Sequence, residues 1–206
     1  MKSKKRQLEK SLVYTVLNPG HSPNEIKKLI SLGVGIIQLR DKNKNRQEVL
    51  KEAVRIKKHL TSKKVLFIIN DYLEIARISD VDGLHLGQND MPIEAARKIL
   101  GRDKIIGISC HSLKQAKDAQ KRGADYIGIG PVFKTPTKPN TKPIGLGIIK
   151  EIAQIIKIPF FAIGGINKTN VAELARNGAR KVAVVRAAFQ AAEISRIIRA
   201  VPKHYN

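Results

Sequence analysis

Short apolar runs alternate with longer amphipathic segments along the whole chain of 206 residues. Each run is almost continuous in Val, Ile and Leu, which is typical of a strand buried on both faces of a sheet. The segments between the runs have the spacing and length of helices. The runs are Leu12–Leu17, Gly35–Arg40, Val65–Asn70, Gly83–Leu86, Lys104–Ser109, Asp125–Gly130, Phe160–Ile163 and Lys181–Val185.

Start and stop signals mark the ends of several helical segments. Ser22–Glu25 reads "SPNE", which combines a capping serine, a proline in the first turn and a capping-box glutamate. Gly33, Gly123 and Gly178 each follow a helical segment and precede an apolar run, which predicts left-handed C-caps. Eight consecutive β/α units without a linker predict an α/β fold, one (β/α)8 TIM barrel over residues 1–206, with residues 1–11 as a basic N-terminal extension.

The formal net charge of +22 adds one constraint on the partners. A field of this sign attracts nucleic acid, anionic membranes or phosphorylated metabolites. Aromatic residues make up 4% of the chain and Trp is absent, so a stacking platform for single strands is not expected, and no specific nucleic acid is predicted. No apolar run approaches the ~20 residues of a membrane helix. A lone cysteine, Cys110, excludes an intrachain disulfide and indicates a cytoplasmic protein.

In a TIM barrel the active site lies where strands end, on the loops that lead into helices. The second run ends in "QLRDK", in which Gln38, Arg40 and Lys42 occupy every second position. Period two places these three side chains on one side if the strand continues. A neutral amide beside two cations suits a ligand with a polar ring and an anionic tail. The alternative for each cation is a solvated strand end.

The third and fourth runs each lead to an Asn-Asp pair, Asn70-Asp71 and Asn89-Asp90. Neighbouring strands lie ~4.8 Å apart, so Asp71 and Asp90 are expected to share a hard divalent cation. Mg²⁺ fits, because it binds one or two carboxylates and completes its shell with water and phosphate. The alternative is that each aspartate only caps or opens the helix that follows it.

The fifth run ends in "GISCHS", where Ser109 is placed to donate a hydrogen bond to a phosphate. Cys110 and His111 are adjacent, and adjacent strand residues point to opposite faces, so a catalytic Cys–His dyad is not expected. His85, in the fourth run, is expected to be packed or hydrogen-bonded and not to bind metal.

The last three runs end beside groups suited to phosphate. The long segment Pro131–Gly147 is expected to be a lid or a binding loop, and it carries Thr135, Thr137 and Lys138. After the seventh run, the Gly164-Gly165 pair lets backbone N–H groups approach an anion. Barrels often hold phosphate between the loops after strands 7 and 8. Two anion sites are therefore predicted, and with them two phosphorylated small-molecule substrates.

Six motifs in order, from about Leu12 to Glu193, resemble the thiamine phosphate synthase (thiamine-phosphate pyrophosphorylase) family: "QLRDK", "FIIND", "GLHLGQND", "GISCHS", "GPVFKTPTKP" and "AIGGI". The resemblance implies a transferase that joins 4-amino-2-methyl-5-(diphosphooxymethyl)pyrimidine to thiazole phosphate, or to its carboxylated form, and releases pyrophosphate. It implies a Mg²⁺-assisted dissociative displacement without a covalent protein nucleophile. Electrostatic catalysis would come from Arg40, Lys42 and Lys138.

The resemblance also assigns binding residues. The pyrimidine diphosphate would be held by Gln38, Leu39, Arg40, Asp41, Lys42, Asn70, Ser109 and Lys138. The thiazole phosphate would be held by Thr135, Pro136, Thr137, Gly165, Val185 and Arg186. Asp71 and Asp90 would hold Mg²⁺. The chain departs from the family pattern at Arg186, where Ser is usual, at Tyr72, where a charged residue is common, and at Asn18, where Asp is usual.

Two other functions compete with this interpretation. A related thiazole tautomerase would isomerise the thiazole phosphate without metal or diphosphate, but it has no use for Asp71, Asp90, Lys42 and Lys138 together. A nonspecific nucleic-acid binder would account for the net charge alone. The oligomeric state is left open by the sequence, with a homo-oligomer as one arrangement.

Overall fold

The computed structural model describes residues 2–60, 64–137, 141–186 and 190–201. Within these ranges, eight parallel strands pair in chain order and close into a barrel, with β8 beside β1. The predicted barrel is confirmed, and every strand begins and ends within one residue of its predicted run. The strands are β1 Val13–Leu17, β2 Ile36–Leu39, β3 Leu66–Asn70, β4 Gly83–Leu86, β5 Ile105–Cys110, β6 Tyr126–Ile129, β7 Phe160–Ile163 and β8 Val182–Val184.

One helix precedes β1, and the other helices described follow strands and pack around the outside of the barrel. In the described part of the chain the helices are α1 Lys2–Lys10, α2 Pro23–Ser31, α3 Arg46–Leu60, α4 Leu73–Ile78, α5 Ile93–Leu100, α6 Leu113–Lys121, α7 Gly145–Ile155, α8 Val171–Arg176 and α9 Ala191–Ala200. None of the helices described is long and apolar enough to cross a membrane.

Alternate residues along the strands build two separate apolar layers. Val13 and Leu17 of β1 join the layer between strands and helices, whereas Tyr14 and Val16 face the barrel interior. Both layers are buried, which explains why the strands are apolar without a break. Leu8 of α1 packs into the interior layer with 2% exposure. The basic segment at the N-terminus therefore includes a helix that closes one end of the barrel.

Local signals in the sequence match the backbone. Ser22 and Glu25 form the predicted capping box, with Pro23 in the first turn of α2. Gly33, Gly123 and Gly178 have φ of 98°, 85° and 93°, the left-handed region that favours glycine. These three helices therefore end as the sequence predicts. The turns they form deliver the chain to β2, β6 and β8.

Candidate active site

The carboxyl ends of the strands and the loops that follow them, here called the rim, surround a cavity of about 1020 Å³. Residues from all eight strands and from the long loop after β6 line it together. The structure thus brings most of the predicted binding residues to one place. Those lining the cavity are Gln38, Arg40, Asp41, Lys42, Asn70, Ser109, Thr135, Thr137, Gly165, Val185 and Arg186.

The floor of the cavity is a line of hydrogen-bonded side chains, here called the interior network, formed by Gln38, Tyr14, Tyr126, His85 and Ser109. Gln38 Nε2 donates to Tyr14 Oη at 2.5 Å, and Tyr14 Oη lies 2.8 Å from Tyr126 Oη. His85 joins the line to Ser109, with Nδ1 2.9 Å from Tyr126 Oη and Nε2 2.9 Å from Ser109 Oγ. His85 is thus hydrogen-bonded, as expected.

Burial sets the protonation of this floor. Desolvation raises the pKa of Tyr14 and of Tyr126 well above the usual tyrosine value, so both hydroxyls keep their protons at neutral pH. Gln38 is 3% exposed and Asn70 is 6% exposed, so a ligand entering the cavity would meet neutral hydrogen-bonding groups at its base.

The walls of the cavity are cationic. Five basic residues contribute to the described lining, against two acids, Asp41 and Glu193. Arg40, Lys42 and Arg186 are predicted site residues, and Lys44 and Lys134 are additions made by the structure. Cations gathered at one concave surface raise the local concentration of anionic ligands.

Asp71 lies directly after β3 in an unusual backbone conformation. Its φ is 62°, the left-handed region that Asp tolerates better than most residues, and its N–H donates to the His85 carbonyl at 2.9 Å. This bond to β4 holds the turn. Lys42 Nζ approaches Asp71 Oδ2 at 3.8 Å, so the carboxylate faces the cationic wall.

Asp90 reaches the same place from the loop after β4. Its Oδ2 accepts from the Gly87 N–H at 2.6 Å, and a side chain at position 87 would place Cβ 2.9 Å from that oxygen. A side chain larger than that of glycine at position 87 would therefore displace the Asp90 carboxylate. Both carboxylates lie at the edge of the large cavity and not in its described lining, and Asp90 lines a smaller neighbouring cavity of about 120 Å³.

The two carboxylates suit a shared cation. Burial raises the pKa of the Asp71 carboxyl, the hydrogen bond and charge of Asp90 raise it further, and Lys42 and Arg40 lower it. Two neighbouring carboxylates that destabilise each other's charge are a donor set that a hard divalent ion would stabilise. The capping alternative does not describe them, because the N-caps of α4 and α5 are Tyr72 and Pro92.

The Gly164-Gly165 turn packs tightly against the loop after β6. The residues have φ of 101° and 66°, and an added Cβ would lie 2.4 Å from Pro131 Cβ and from the Lys134 carbonyl oxygen, respectively. Asn170 Nδ2 donates to the Gly165 carbonyl at 2.9 Å. The turn is thus held from both sides beside the cavity, where the sequence predicts the second anion site.

Two of the predicted binding residues that the structure describes are not part of the described cavity lining. Leu39 is 1% exposed and packs between strands and helices, because its side chain alternates with the inward-facing Gln38. Only the backbone of Leu39 could contact a ligand in the cavity. Pro136 is exposed and is not part of the described cavity lining. Lys138 lies outside the described residues.

The structure agrees with the expectation that no Cys–His dyad forms. The Cys110 side chain is buried in the outer apolar layer, and burial raises the pKa of its thiol to about 12. His111 lines the cavity, and its Nδ1 is hydrogen-bonded to the Gly130 carbonyl. A thiol that stays protonated and faces away from the cavity is not a nucleophile.

Sequence reasoning overlooked several cavity residues. Tyr14 lies within an apolar run. Its alternation with the neighbouring Val13 is the only sign in the sequence that the Tyr14 side chain points into the barrel. Lys44 and Lys134 lie in charged loops with no pattern that distinguishes them from solvated lysines. Their positions became visible only when the barrel brought the loops together.

Comparison with known proteins identifies the family. The model for thiamine monophosphate synthase matches residues 13–188. The thiamine-phosphate synthase of Shouchella clausii is 44% identical over 170 residues, which cover 82% of this chain and 81% of that protein. The thiamine-phosphate synthase of Methanosarcina barkeri is 40% identical over 203 residues, with coverage of 94% and 90%.

The chain belongs to the thiamine monophosphate synthase family. A solved structure, the thiamine phosphate pyrophosphorylase from Pyrococcus furiosus, superposes with a TM-score of 0.84 at 31% identity and covers 96% of this chain and 97% of that one. The family resemblance and the prediction of a thiamine phosphate synthase, a transferase of the pyrimidinylmethyl group, are confirmed.

Proposed function

We propose that this site makes thiamine phosphate by joining the pyrimidine diphosphate and the thiazole phosphate, with Mg²⁺ held by Asp71 and Asp90. One observation supports the proposal above all. Two adjoining carboxylates, with Lys42 3.8 Å from Asp71, lie beside a cationic cavity whose floor is neutral and hydrogen-bonding. A diphosphate suits the carboxylate-and-cation edge, and an uncharged heterocycle suits the floor.

The groups that would hold the diphosphate are Arg40, Lys42, Asn70 and Ser109, which converge on the cavity from β2, β3 and β5. Lys138 stays a predicted member of this set. Cations and N–H donors that are already in place stabilise charge as it develops without first having to reorganise. Mg²⁺, when bound, would neutralise part of the charge that grows on the leaving diphosphate.

The bond changes need no group from the protein to become covalent. The C–O bond between the pyrimidinylmethyl carbon and the diphosphate breaks, and its electron pair leaves with the diphosphate. The electron-rich aminopyrimidine stabilises the resulting cation. The thiazole nitrogen then uses its lone pair to form the new C–N bond. The protein holds the two partners in line, which is worth a large rate factor by itself.

The thiazole phosphate would lie on the other side of the cavity. Thr135, Thr137, Gly165 and Val185 line it there, and Arg186 follows β8 at the same edge. The Gly164-Gly165 turn offers close approach to backbone groups. Arg186 would add a charge-assisted contact where the family usually has a hydroxyl, and tighter binding of this phosphate is expected.

The test is a two-substrate assay with purified protein, with and without Mg²⁺. The expected result is thiamine phosphate and pyrophosphate in equal amounts, formed only with the divalent ion. Direct titration of Mn²⁺, followed by its electron paramagnetic resonance, should show a site that Asp71→Asn and Asp90→Asn weaken. This second measurement reports metal binding without reference to turnover.

The competing tautomerase has a separate signature. Isomerisation of the thiazole phosphate alone, unaffected by chelators and by Asp71→Asn, would contradict the synthase proposal. Binding of duplex DNA that survives physiological salt would support the nucleic-acid alternative, since contacts to phosphate alone weaken steeply with salt. The cytoplasmic location stays a prediction from the sequence.

A further inference from the structure

The interior network is directional, because every hydroxyl in it must donate one hydrogen bond and can accept another. Tyr14 and Tyr126 are buried and keep their protons, and His85 has one nitrogen on Tyr126 and the other on Ser109. Neutral imidazole has one N–H and one acceptor nitrogen. The direction of one hydrogen bond therefore fixes the direction of the next along the whole network.

Two orders of protons satisfy the line. In the first, Gln38 Nε2 donates to Tyr14, Tyr14 donates to Tyr126, Tyr126 donates to His85 Nδ1, and His85 Nε2–H donates to Ser109. The Gln38 carbonyl oxygen is then the amide end a ligand meets, and the Ser109 hydroxyl is left to donate. In the second order every bond is reversed and the Gln38 amide is turned over.

We propose that Tyr14, Tyr126 and His85 are positioning residues that couple Gln38 to Ser109, so that the cavity recognises both ends of the pyrimidine diphosphate at once. The inference rests on the proposed function. The 4-amino group of the pyrimidine donates a hydrogen bond and requires an acceptor, which is the Gln38 carbonyl. The diphosphate accepts hydrogen bonds and requires a donor, which is the Ser109 hydroxyl. Both requirements select the first order.

The coupling has a consequence for specificity. A pyrimidine with an oxo group in place of the 4-amino group would require a donor from Gln38, and so the second order. Ser109 would then donate to His85 and present only acceptor lone pairs to the diphosphate. The 4-oxo compound therefore binds more weakly for two reasons, a lost hydrogen bond at the ring and a lost hydrogen bond at the diphosphate. Buried polar groups left without partners are what makes such discrimination strong.

The first experiment reads the tautomer of His85 directly. Protein labelled with ¹⁵N at histidine is compared with and without the pyrimidine diphosphate and Mg²⁺, and His85→Gln identifies the signals of residue 85 among the five histidines. The expected state of the complex is neutral imidazole with the proton on Nε2. A proton on Nδ1, or on both nitrogens, would overturn the proposal.

The second experiment breaks the line while keeping the rings. Dissociation constants are measured by calorimetry for the 4-amino and the 4-oxo pyrimidine diphosphates. In Tyr126→Phe, Gln38 is free to turn independently of Ser109, so the preference for the 4-amino compound should fall about tenfold. Tyr14→Phe interrupts the same line at another point and should act in the same direction, so that the test survives if one variant does not fold. Tyr72→Phe removes a tyrosine hydroxyl outside the interior network and is the matched control.

The outcomes separate the coupling from the function on which it rests. If the wild type does not bind the 4-amino pyrimidine diphosphate at all, the proposed function is wrong and the coupling is wrong with it. If the wild type binds and prefers this compound, but both phenylalanine variants keep the full preference, only the coupling is wrong. A fall in preference with an unchanged Michaelis constant for the thiazole phosphate supports it.

Discussion

The two ends of the barrel use the same residue types for different purposes. At the end closed by α1, Asp125 accepts from the Ile106 N–H and pairs with Arg97 and Lys5 at 2.5 and 2.8 Å, and Asp82 accepts from the Phe67 N–H. At the rim, Asp71 has one lysine at 3.8 Å and another carboxylate beside it.

The difference shows what distinguishes a charge that is compensated within the protein from one that is suited to bind a ligand. Asp125 is neutralised within the protein by two cations and a backbone N–H. Burial and Asp90 raise the pKa of the Asp71 carboxyl. The positive charge of a bound ligand would therefore stabilise the ionised carboxylate. Residue identity alone does not separate these cases, because the decisive quantity is the balance of charge around each carboxylate.

The largest expected effect breaks the rim. If the proposed metal site is correct, Asp71→Asn and Asp90→Asn should each lower kcat about 100-fold or more, because each removes one charged ligand of the proposed Mg²⁺. Steady-state kinetics across a Mg²⁺ titration would measure this, with thermal melts to show an intact fold. Asp80→Asn is the matched control, since Asp80 also has positive φ, 47°, but pairs with Lys104 away from the rim. Equal losses in Asp71→Asn and Asp80→Asn would contradict the metal role.

The second change breaks the closed end. Asp125→Asn should reduce the free energy of unfolding by about 3 kcal/mol, because it leaves Arg97 and Lys5 without the carboxylate they share. For a chain of this size that corresponds to a fall in Tm of about 6–12 °C. Calorimetry would measure it, with kcat at 25 °C unchanged.

Asp118→Asn provides the comparison, because its ion pair with Arg122 is exposed and contributes little. A large loss of activity in Asp125→Asn at temperatures where it is folded would show that the two ends of the barrel are not independent.

The third prediction concerns how the stability of the protein depends on pH through one buried lysine. Lys181 is 4% exposed, its Nζ donates to the Glu9 and Ser11 carbonyls, and burial lowers its pKa from 10.5 to about 8. The folded state therefore releases this proton first. Below pH 8 the lysine is charged in both states, and the cost of burying its charge is fully present. From pH 8 to 10.5 the unfolded chain holds more protons, so stability rises with pH.

The measurement is the free energy of unfolding in urea for wild type and for Lys181→Met, from pH 7 to 10.5. Above pH 8 the free energy of unfolding of the wild type should rise relative to that of the variant, by up to about 3 kcal/mol for a pKa shift of this size. The difference should be level between pH 7 and pH 8. A difference that stays level throughout, or that falls with pH, would contradict a lowered lysine pKa.

The smallest expected effect concerns a polar residue of the rim that is expected to stabilise the fold without contributing to catalysis. Ser22→Ala removes the side chain that caps α2 at the Glu25 N–H and should cost about 1 kcal/mol of stability, with kcat and both Michaelis constants unchanged. Chemical denaturation would measure the loss. Ser31→Ala, at the other end of α2, should change stability less. A loss of activity in Ser22→Ala would mean that the rim cannot be divided in this way.

Much of the fold was predictable from local pattern. The eight strands follow from apolar runs, since a strand covered on both faces must be apolar along its whole length. Gly33, Gly123 and Gly178 follow from a backbone conformation that other residues rarely adopt. The role of α1 was not predictable, because one buried leucine, Leu8, in a basic segment gives no pattern until the barrel end it covers exists.

The candidate site was predictable in part, for a related reason. The barrel rule places strand ends together, so Gln38, Arg40, Asn70 and Ser109 could be assigned to one cavity from the sequence. Family resemblance alone could not show that the Leu39 side chain points away from the cavity, because neighbouring residues of a motif on a strand point in opposite directions. Lys44 and Lys134 were missed because loop lysines carry no periodic signal.

The sequence by itself determined the order of strands, the chemistry available at each strand end and the family. Only the tertiary structure decided which carboxylates are closely paired with cations, as at Asp125, and which have a cation no nearer than 3.8 Å in the described part of the chain, as at Asp71. It also joined Gln38 to Ser109 through Tyr14, Tyr126 and His85, which are far apart in the chain. The physical reason is that desolvation and hydrogen bonding depend on what surrounds a group in space, and closing the barrel sets those surroundings.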